Sequence, residues 1–439
     1  MTRGQAQQLS KQILGYATVP ELSVGLNVVR RGFLRFARNE ATTAGATEAA
    51  AVSISARRGK REASASATLD LSPEGVDREE LRKLVARAEE MAAVAPEDPE
   101  FMPLLGPQKY LEVGAWDEAT AGISAGERAR RVRDVITHAR DTKIVAAGFL
   151  QTGSSYQVQA NSEGLFFYFP STSASFSVTA RTPDAQGSGY TAVNSHRVGT
   201  LDFREAATAA ARKAQDWRGA EELKPGDYPA ILEPQALSDI LGTVSWNARS
   251  AEEGRSVFSA PEGKTRVGEQ IFDKRIHLYT NPAHPLVPAS PVGPEGYPAA
   301  QADFVRDGVL RTLTSSRYWA QEYERPPGPF ASNQIMDGGG LSLAELIKST
   351  ERAVLVTRFW YIRAVDPQQA LYTGLTRDGT FWVEDGEIRR PIRNFRFNES
   401  AVRILGLVEA LGQPQRIGNS FVPPVHVKSF RFTSLSDAV

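Results

Sequence analysis

The chain has 439 residues, enough for two or three domains and a sizeable buried core. Its 51 Lys and Arg balance 51 Asp and Glu, so net charge draws it neither to nucleic acid nor to an anionic membrane. With 0 Cys it can form no disulfide, no thiolate nucleophile and no thiolate metal ligand.

The first residues, MTRGQAQQLSKQILGYA, lack the apolar core of a secretory signal, and no run of roughly 18 apolar residues occurs anywhere. A cytoplasmic chain with no membrane partner is expected. Short strands are expected at Leu22–Asn27, Gly32–Arg38, Ala51–Ala56 and Glu62–Leu69, with the Ala-rich ATTAGATEAAAV (41–52) belonging to strands rather than to a linker. Arg57-Arg58-Gly59-Lys60-Arg61 falls where two strands turn, and reads as a charged hairpin tip rather than a nucleic-acid contact.

Asp77–Ala93 carries Leu81, Leu84, Val85 and Ala88 at helical spacing behind an Asp77 N-cap. A Pro-rich link, PEDPEFMPLLGP (96–107), follows. The next helix, Ser124–Arg140, gathers Val132, Val135, Ile136 and Ala139 on one face, and the arginines of ERARRVRD (127–134) are assigned to its solvated side. Strands Tyr156–Ala160, Leu165–Phe169 and Ser173–Arg181 precede a third helix, Phe203–Trp217.

Lys224-Pro225-Gly226-Asp227 is the best boundary, because adjacent Pro and Gly end regular structure. It divides an N-terminal region, 1–223, with subregions near 1–100 and 110–223, from a C-terminal one, 224–439. The latter opens with a strand, Tyr228–Leu232, and a helix over Gln235–Ala251, then continues as strands joined by Pro-rich loops. Ser342-Leu343-Ala344-Glu345 forms a capping box behind Gly338–Gly340, so that glycine run leads into a helix near 342–349 and is no phosphate cradle. Asp378-Gly379 and Asp385-Gly386 bracket the alternating Thr380–Glu384 and predict a tight turn on each side of it.

The five histidines, 138, 196, 277, 284 and 426, show no pair at metal-ligand spacing. The segment Thr357–Ser400, TRFWYIRAVDPQQALYTGLTRDGTFWVEDGEIRRPIRNFRFNES, resembles the C-terminal signature of the TldD/PmbA (TldD/TldE) metallopeptidase family. Supporting matches are GFLRFARNEATTAG (32–45), Asn161-Ser162-Glu163-Gly164, ILEPQALSDILG (231–242) and DGGGLSLAELI (337–347). The resemblance implies an α+β fold, an N-terminal α/β region followed by a β-rich C-terminal domain, assembled as a dimer around a cavity.

Catalytic members of that family carry a His-Glu-x-x-x-His helix directly after Leu-Glu-Pro, with a later Cys. Neutral imidazoles hold zinc there while the Glu handles a water proton. In this chain Gly242, Thr243 and Asn247 fall where the first His, the Glu and the second His would stand, and there is no Cys. The chain thus resembles the non-catalytic TldE/PmbA type, with no catalytic residue, no metal and no cofactor of its own. A TldD-like zinc-bearing subunit is the implied partner, or a second copy in a homodimer, and the implied substrate is an unfolded or short peptide. The family match also makes Thr376, Arg377, Asp378, Arg396, Asn398 and Glu399 candidates to line the shared cavity. Two other readings stay open: a self-sufficient hydrolase built on His277 or His284 with acidic neighbours, and a non-enzymatic binding or adaptor protein.

Overall fold

The computed structural model describes residues 1–69 and 77–436. Its first sheet comprises β1 (Glu21–Ala37), β2 (Glu40–Arg58), β3 (Arg61–Leu69), β4 (Val145–Asn161), β5 (Phe166–Arg181) and β6 (Ser188–Ser195). The order is β3-β2-β1-β4-β5-β6, and all neighbours are antiparallel. Side chains alternate across the pleat, so Leu22, Val24, Leu26, Val28, Leu34 and Phe36 of β1 all enter one buried face. Helices α1 (Arg3–Leu14) and α2 (Arg78–Val94) cover that face at one end. Helices α3 (Ala125–Asp141) and α4 (Phe203–Asp216) cover it at the other.

The helices form where the apolar spacing places them. Asp77 caps α2, accepting from the Glu79 N–H at 2.8 Å, and Leu81, Leu84, Val85 and Ala88 are buried. In α3, Ser124 and Glu127 make a capping box, and Val132, Val135, Ile136 and Ala139 are buried. The arginines of that helix are not all solvated. Arg128 is buried over Gly32, donating to the Ile123 carbonyl (2.9 Å) and Thr152 Oγ1 (3.3 Å). A Cβ at Gly32 would lie 2.3 Å from its guanidinium carbon, so that glycine makes the room.

Strands run longer than their apolar alternation suggests. Leu22–Asn27 and Gly32–Arg38 are parts of one strand, because β2 and β4 pair with the backbone of β1 through Asn27, Arg30 and Arg31. Likewise β5 continues through Pro170, where β6 has not yet begun to pair and the strand is an edge that tolerates proline.

After residue 225 the chain builds β7 (Gly226–Leu232), α5 (Pro234–Leu241), β8 (Arg352–Asp366), β9 (Leu371–Glu384), β10 (Glu387–Pro391), β11 (Phe395–Ser400) and β12 (Val425–Leu435). The order β8-β7-β12-β11-β9 closes through a β9–β8 pairing, with β10 added outside β9. Closure removes free edges and encloses an aromatic core. Phe359, Phe397 and Phe430 meet there at centroid distances of 4.6, 5.4 and 5.6 Å. A small sheet of short strands, 309–310, 302–306, 278–280, 334–336, 420–422 and 415–417, reaches β6 through its last member. Among the described residues no helix is long and apolar enough to cross a membrane.

Candidate functional site

The signature segment forms part of β8 and all of β9, β10 and β11. Asp385-Gly386, with φ of +50° and +78°, is the two-residue turn joining β9 to β10. Asp378-Gly379 is not a turn. Strand β9 runs through it, and the pair (φ +57° and +119°) bulges opposite the single residue Thr357, between Arg358↔Arg377 and Val356↔Thr380. Asp-Gly supplies the positive φ that both structures need; only the partner strand, continuing on either side, makes this one a bulge.

The bulge puts Asp378 against the first sheet. Its buried carboxylate accepts from Ser188 Oγ of β6 at 2.5 Å and from Arg358 Nε at 2.7 Å. The Arg358 guanidinium lies 3.9 Å from the centroid of the Tyr190 ring, also on β6. Trp217 Nε1 donates to the carbonyls of Thr380 and Ile392, at 3.1 and 2.9 Å, and Lys213 Nζ meets Glu233 at 2.6 Å. Together these contacts clamp the helical sheet to the closed one.

The other signature residues divide by face. Thr376, Thr380 and Asn394 form a buried side-chain network at 2.8 to 3.2 Å. Glu399 is buried and accepts from the N–H groups of Ser400 and Arg431 and from Arg403, at 2.9, 3.0 and 2.7 Å. Burial raises its pKa against the pull of those bonds. Arg377 is half-buried, 5.1 Å from the Trp360 ring centroid, while Arg396 is exposed and Asn398 half-buried on the outer side of β11.

The Gln235–Ala251 helix is broken. Helix α5 ends at Leu241 with Gly242 as its C-cap, and a second helix starts only at Ala248, capped by Asn247. Thr243 Oγ1 bonds back to the Ile240 carbonyl at 2.6 Å, and Asn247 Oδ1 accepts from the Ser250 N–H at 2.8 Å. Long-range partners open the gap. Tyr372 donates to the Thr243 carbonyl at 2.7 Å, and the Trp246 ring enters an aromatic pocket of Phe258, Phe272 and Phe304. Leu237, Ile240 and Leu241 remain buried.

The face of the first sheet opposite the helices carries a polar stretch beside the apolar cluster of Phe167 and Phe169. Asn27, Ser53, Ser66, Gln157 and Ser171 point into a trough of about 590 Å³ whose other side is Pro288–Ser290, Ser332, Arg416 and Asn419. A hollow of about 240 Å³ shares Gly25, Ser53 and Gln159 with it. Ser290 Oγ donates to Gln157 Oε1 at 2.7 Å, and the Ser155 and Ser171 hydroxyls lie 2.8 Å apart. Arg416 donates to the carbonyls of Gly418 (3.0 Å) and Leu286 (2.6 Å), and burial brings its pKa down to about 10. The sequence carried a signal for the sheet side of this trough, the Ser and Gln alternation in SISARR and SSYQVQANS, but none for Arg416.

Residues 71–216 match the PmbA/TldA metallopeptidase central domain, and residues 225–434 match the PmbA/TldA metallopeptidase C-terminal domain. The chain belongs to the TldD/PmbA family. TldE from Thermococcus kodakarensis has the same fold, with a TM-score of 0.85 at 18% identity over 98% of this chain and 99% of that one. A metalloprotease of Methanothermobacter thermautotrophicus is 24% identical over 240 residues, 50% of each chain. A zinc metalloprotease TldD homolog of Saccharolobus solfataricus is 21% identical over 217 residues, 45% of this chain and 46% of that one. The chain spans about half the length of these two relatives.

In this TldD/PmbA member the residues at the expected zinc positions do not fit the metal. Gly242 has no side chain, and the side chains of Thr243 and Asn247 are engaged with backbone groups. Among the described residues no group of three His, Asp or Glu side chains could hold a metal ion. His277 lies between two carboxylates, Nδ1 at 2.7 Å from Asp337 and Nε2 at 3.0 Å from Asp303. Burial disfavours its charge, but the two aspartate bonds outweigh burial and its pKa stands above the ordinary value. An imidazolium donating from both nitrogens has no lone pair for a metal or a substrate proton. His284, its ring tilted against Phe421 at 5.1 Å, has its pKa lowered by burial and then by Arg416.

The raised His277 pKa has a signed consequence. Its stabilisation is fully present below the unfolded-state pKa of about 6.5 and is lost as pH rises through the folded value. The excess stability of wild type over His277→Gln, measured by urea unfolding, is therefore larger at about pH 5.5 than at about pH 9. An excess that grew with pH would disprove the doubly bonded imidazolium.

Proposed function

We propose that this chain is the non-catalytic, TldE/PmbA-type subunit of a TldD/TldE-type zinc metallopeptidase. A TldD-like subunit carries the zinc, and the two enclose a cavity for unfolded or short peptides in the cytoplasm. The observation that supports this reading is the capped loop at 242–247, whose Gly242, Thr243 and Asn247 offer neither an imidazole nor a carboxylate, within a TldE-like fold. A chamber made by two subunits admits only chains without tertiary structure, and a β-rich wall can hold an extended peptide by main-chain hydrogen bonds. No catalytic residue is needed here for that. Beyond Phe359 the paired ends of β8 and β9 expose Trp360, Tyr361 and Val365, an apolar surface of the kind a partner covers.

The test mixes the purified chain with a His-Glu-x-x-x-His homologue from the same cell and follows cleavage of unfolded peptides. Cleavage by the mixture should exceed that by the homologue alone by about 10-fold, equivalent to about 1.4 kcal/mol. Elemental analysis should find zinc with the homologue and no stoichiometric zinc on this chain. Cleavage by this chain alone, or equal cleavage with and without it, would sink the proposal.

A further inference from the structure

Arg416 is a half-buried guanidinium that lines a polar trough without a counter-charge. Its hydrogen bonds to the Gly418 and Leu286 carbonyls orient it but do not neutralise it, and among the described residues no carboxylate pairs with it. Five N–H donors on a planar fork leave capacity for a bidentate acceptor. No Asp or Glu lines the trough. Beside Arg416, His196 is buried with both ring nitrogens unpartnered, and its pKa is lowered by burial and then by Arg416 itself. A half-buried cation among hydroxyls and amides presents positive potential to a cavity of ligand size.

We propose that this trough binds a polar peptide with a carboxylate seated on Arg416. The hydroxyls and amides of Ser53, Ser171, Gln157 and Asn419 offer both donors and acceptors to a peptide main chain, while Phe169 on the sheet side and Pro288 on the other add apolar contact. A carboxylate fits better than a phosphate, because Arg416 is the only Lys or Arg among the lining residues and no helix N-terminus contributes. That the ligand is a peptide rests on the function proposed above; that it is an anion rests on Arg416 and the trough.

The experiment measures fluorescence anisotropy of a fluorescein-labelled Gly-Gln-Ser-Ala-Ala peptide with the full chain alone. Three forms are compared: the free acid, the C-terminal amide, and an amide ending in Asp. The free acid, the Asp amide or both should bind about 10-fold more tightly than the plain amide, the scale of a charge-assisted pair. Which of the two does so tells an α-carboxylate from a side-chain one. Arg416→Gln should bring all three within about 2-fold, and Arg416→Lys should keep part of the preference. Equal binding of all three forms by wild type, no binding at all, or a preference that survives Arg416→Gln overturns the proposal. The wild-type comparison stands even where a variant fails to fold. Because the zinc-bearing homologue is absent, failure here leaves the coupled-cleavage test intact, and failure there leaves this one intact.

Discussion

Asp378→Ala lowers the unfolding free energy of the chain by about 3–5 kcal/mol, the scale seen when one member of a buried ion pair is removed. The alanine leaves Arg358, at 14% side-chain exposure, with its guanidinium unneutralised, and strips Ser188 Oγ of its acceptor. It also forces alanine into φ +57°, which Asp tolerates better. Asp378→Asn keeps an acceptor for Ser188 and the local backbone preference, so its loss is smaller. Urea unfolding followed by tryptophan fluorescence measures both, with Trp217 reporting on the same junction. A loss under about 1 kcal/mol for the alanine variant would place Asp378 among weak exposed pairs and refute its part in the clamp.

Phe430→Ala is expected to cost about 3–5 kcal/mol at an independent position, the interior of the closed sheet. The ring is fully buried and meets Phe359, Phe397 and Phe432 at 5.4, 5.6 and 4.9 Å. Close packing around it leaves a cavity that its neighbours cannot fill, since each belongs to a hydrogen-bonded strand. Phe430→Leu should cost about half as much or less, and Arg396→Ala, on the exposed side of β11, should stay within about 0.5 kcal/mol of wild type. Equal losses at Phe430 and Arg396 would mean that β11 and β12 do not enclose the core described.

Local signals carried far along this chain. Helices α2, α3 and α4 form where apolar residues recur at helical spacing behind Asp77, Ser124 and Asp202, since cap and period act within a few residues of each other. The capping box at Ser342 and the turn at Asp385-Gly386 are equally local, and the signature from 357 to 400 led to a family that the domain matches support. Other features needed the partner across space. Asp378-Gly379 carries the same turn chemistry as Asp385-Gly386, yet β8 continues past it and makes a bulge.

The same division holds for the candidate site. That Gly242, Thr243 and Asn247 are not zinc-binding residue types is legible from residue identity alone. That the segment also leaves the helix is not, because Tyr372 and the aromatic pocket around Trp246 come from distant parts of the sequence. Alternating Ser and Gln marked one face of β2 and β4 as polar, but an outward strand face and a ligand trough read alike until something covers them. Residue order by itself determined the three N-terminal helices, the turn at Asp385-Gly386 and the alternation of strand faces, all set by interactions a few residues long. Only the tertiary structure decided the clamp at Asp378 and the trough at Arg416, because each is made by groups far apart in the chain whose burial and charge balance exist only once the sheets have packed.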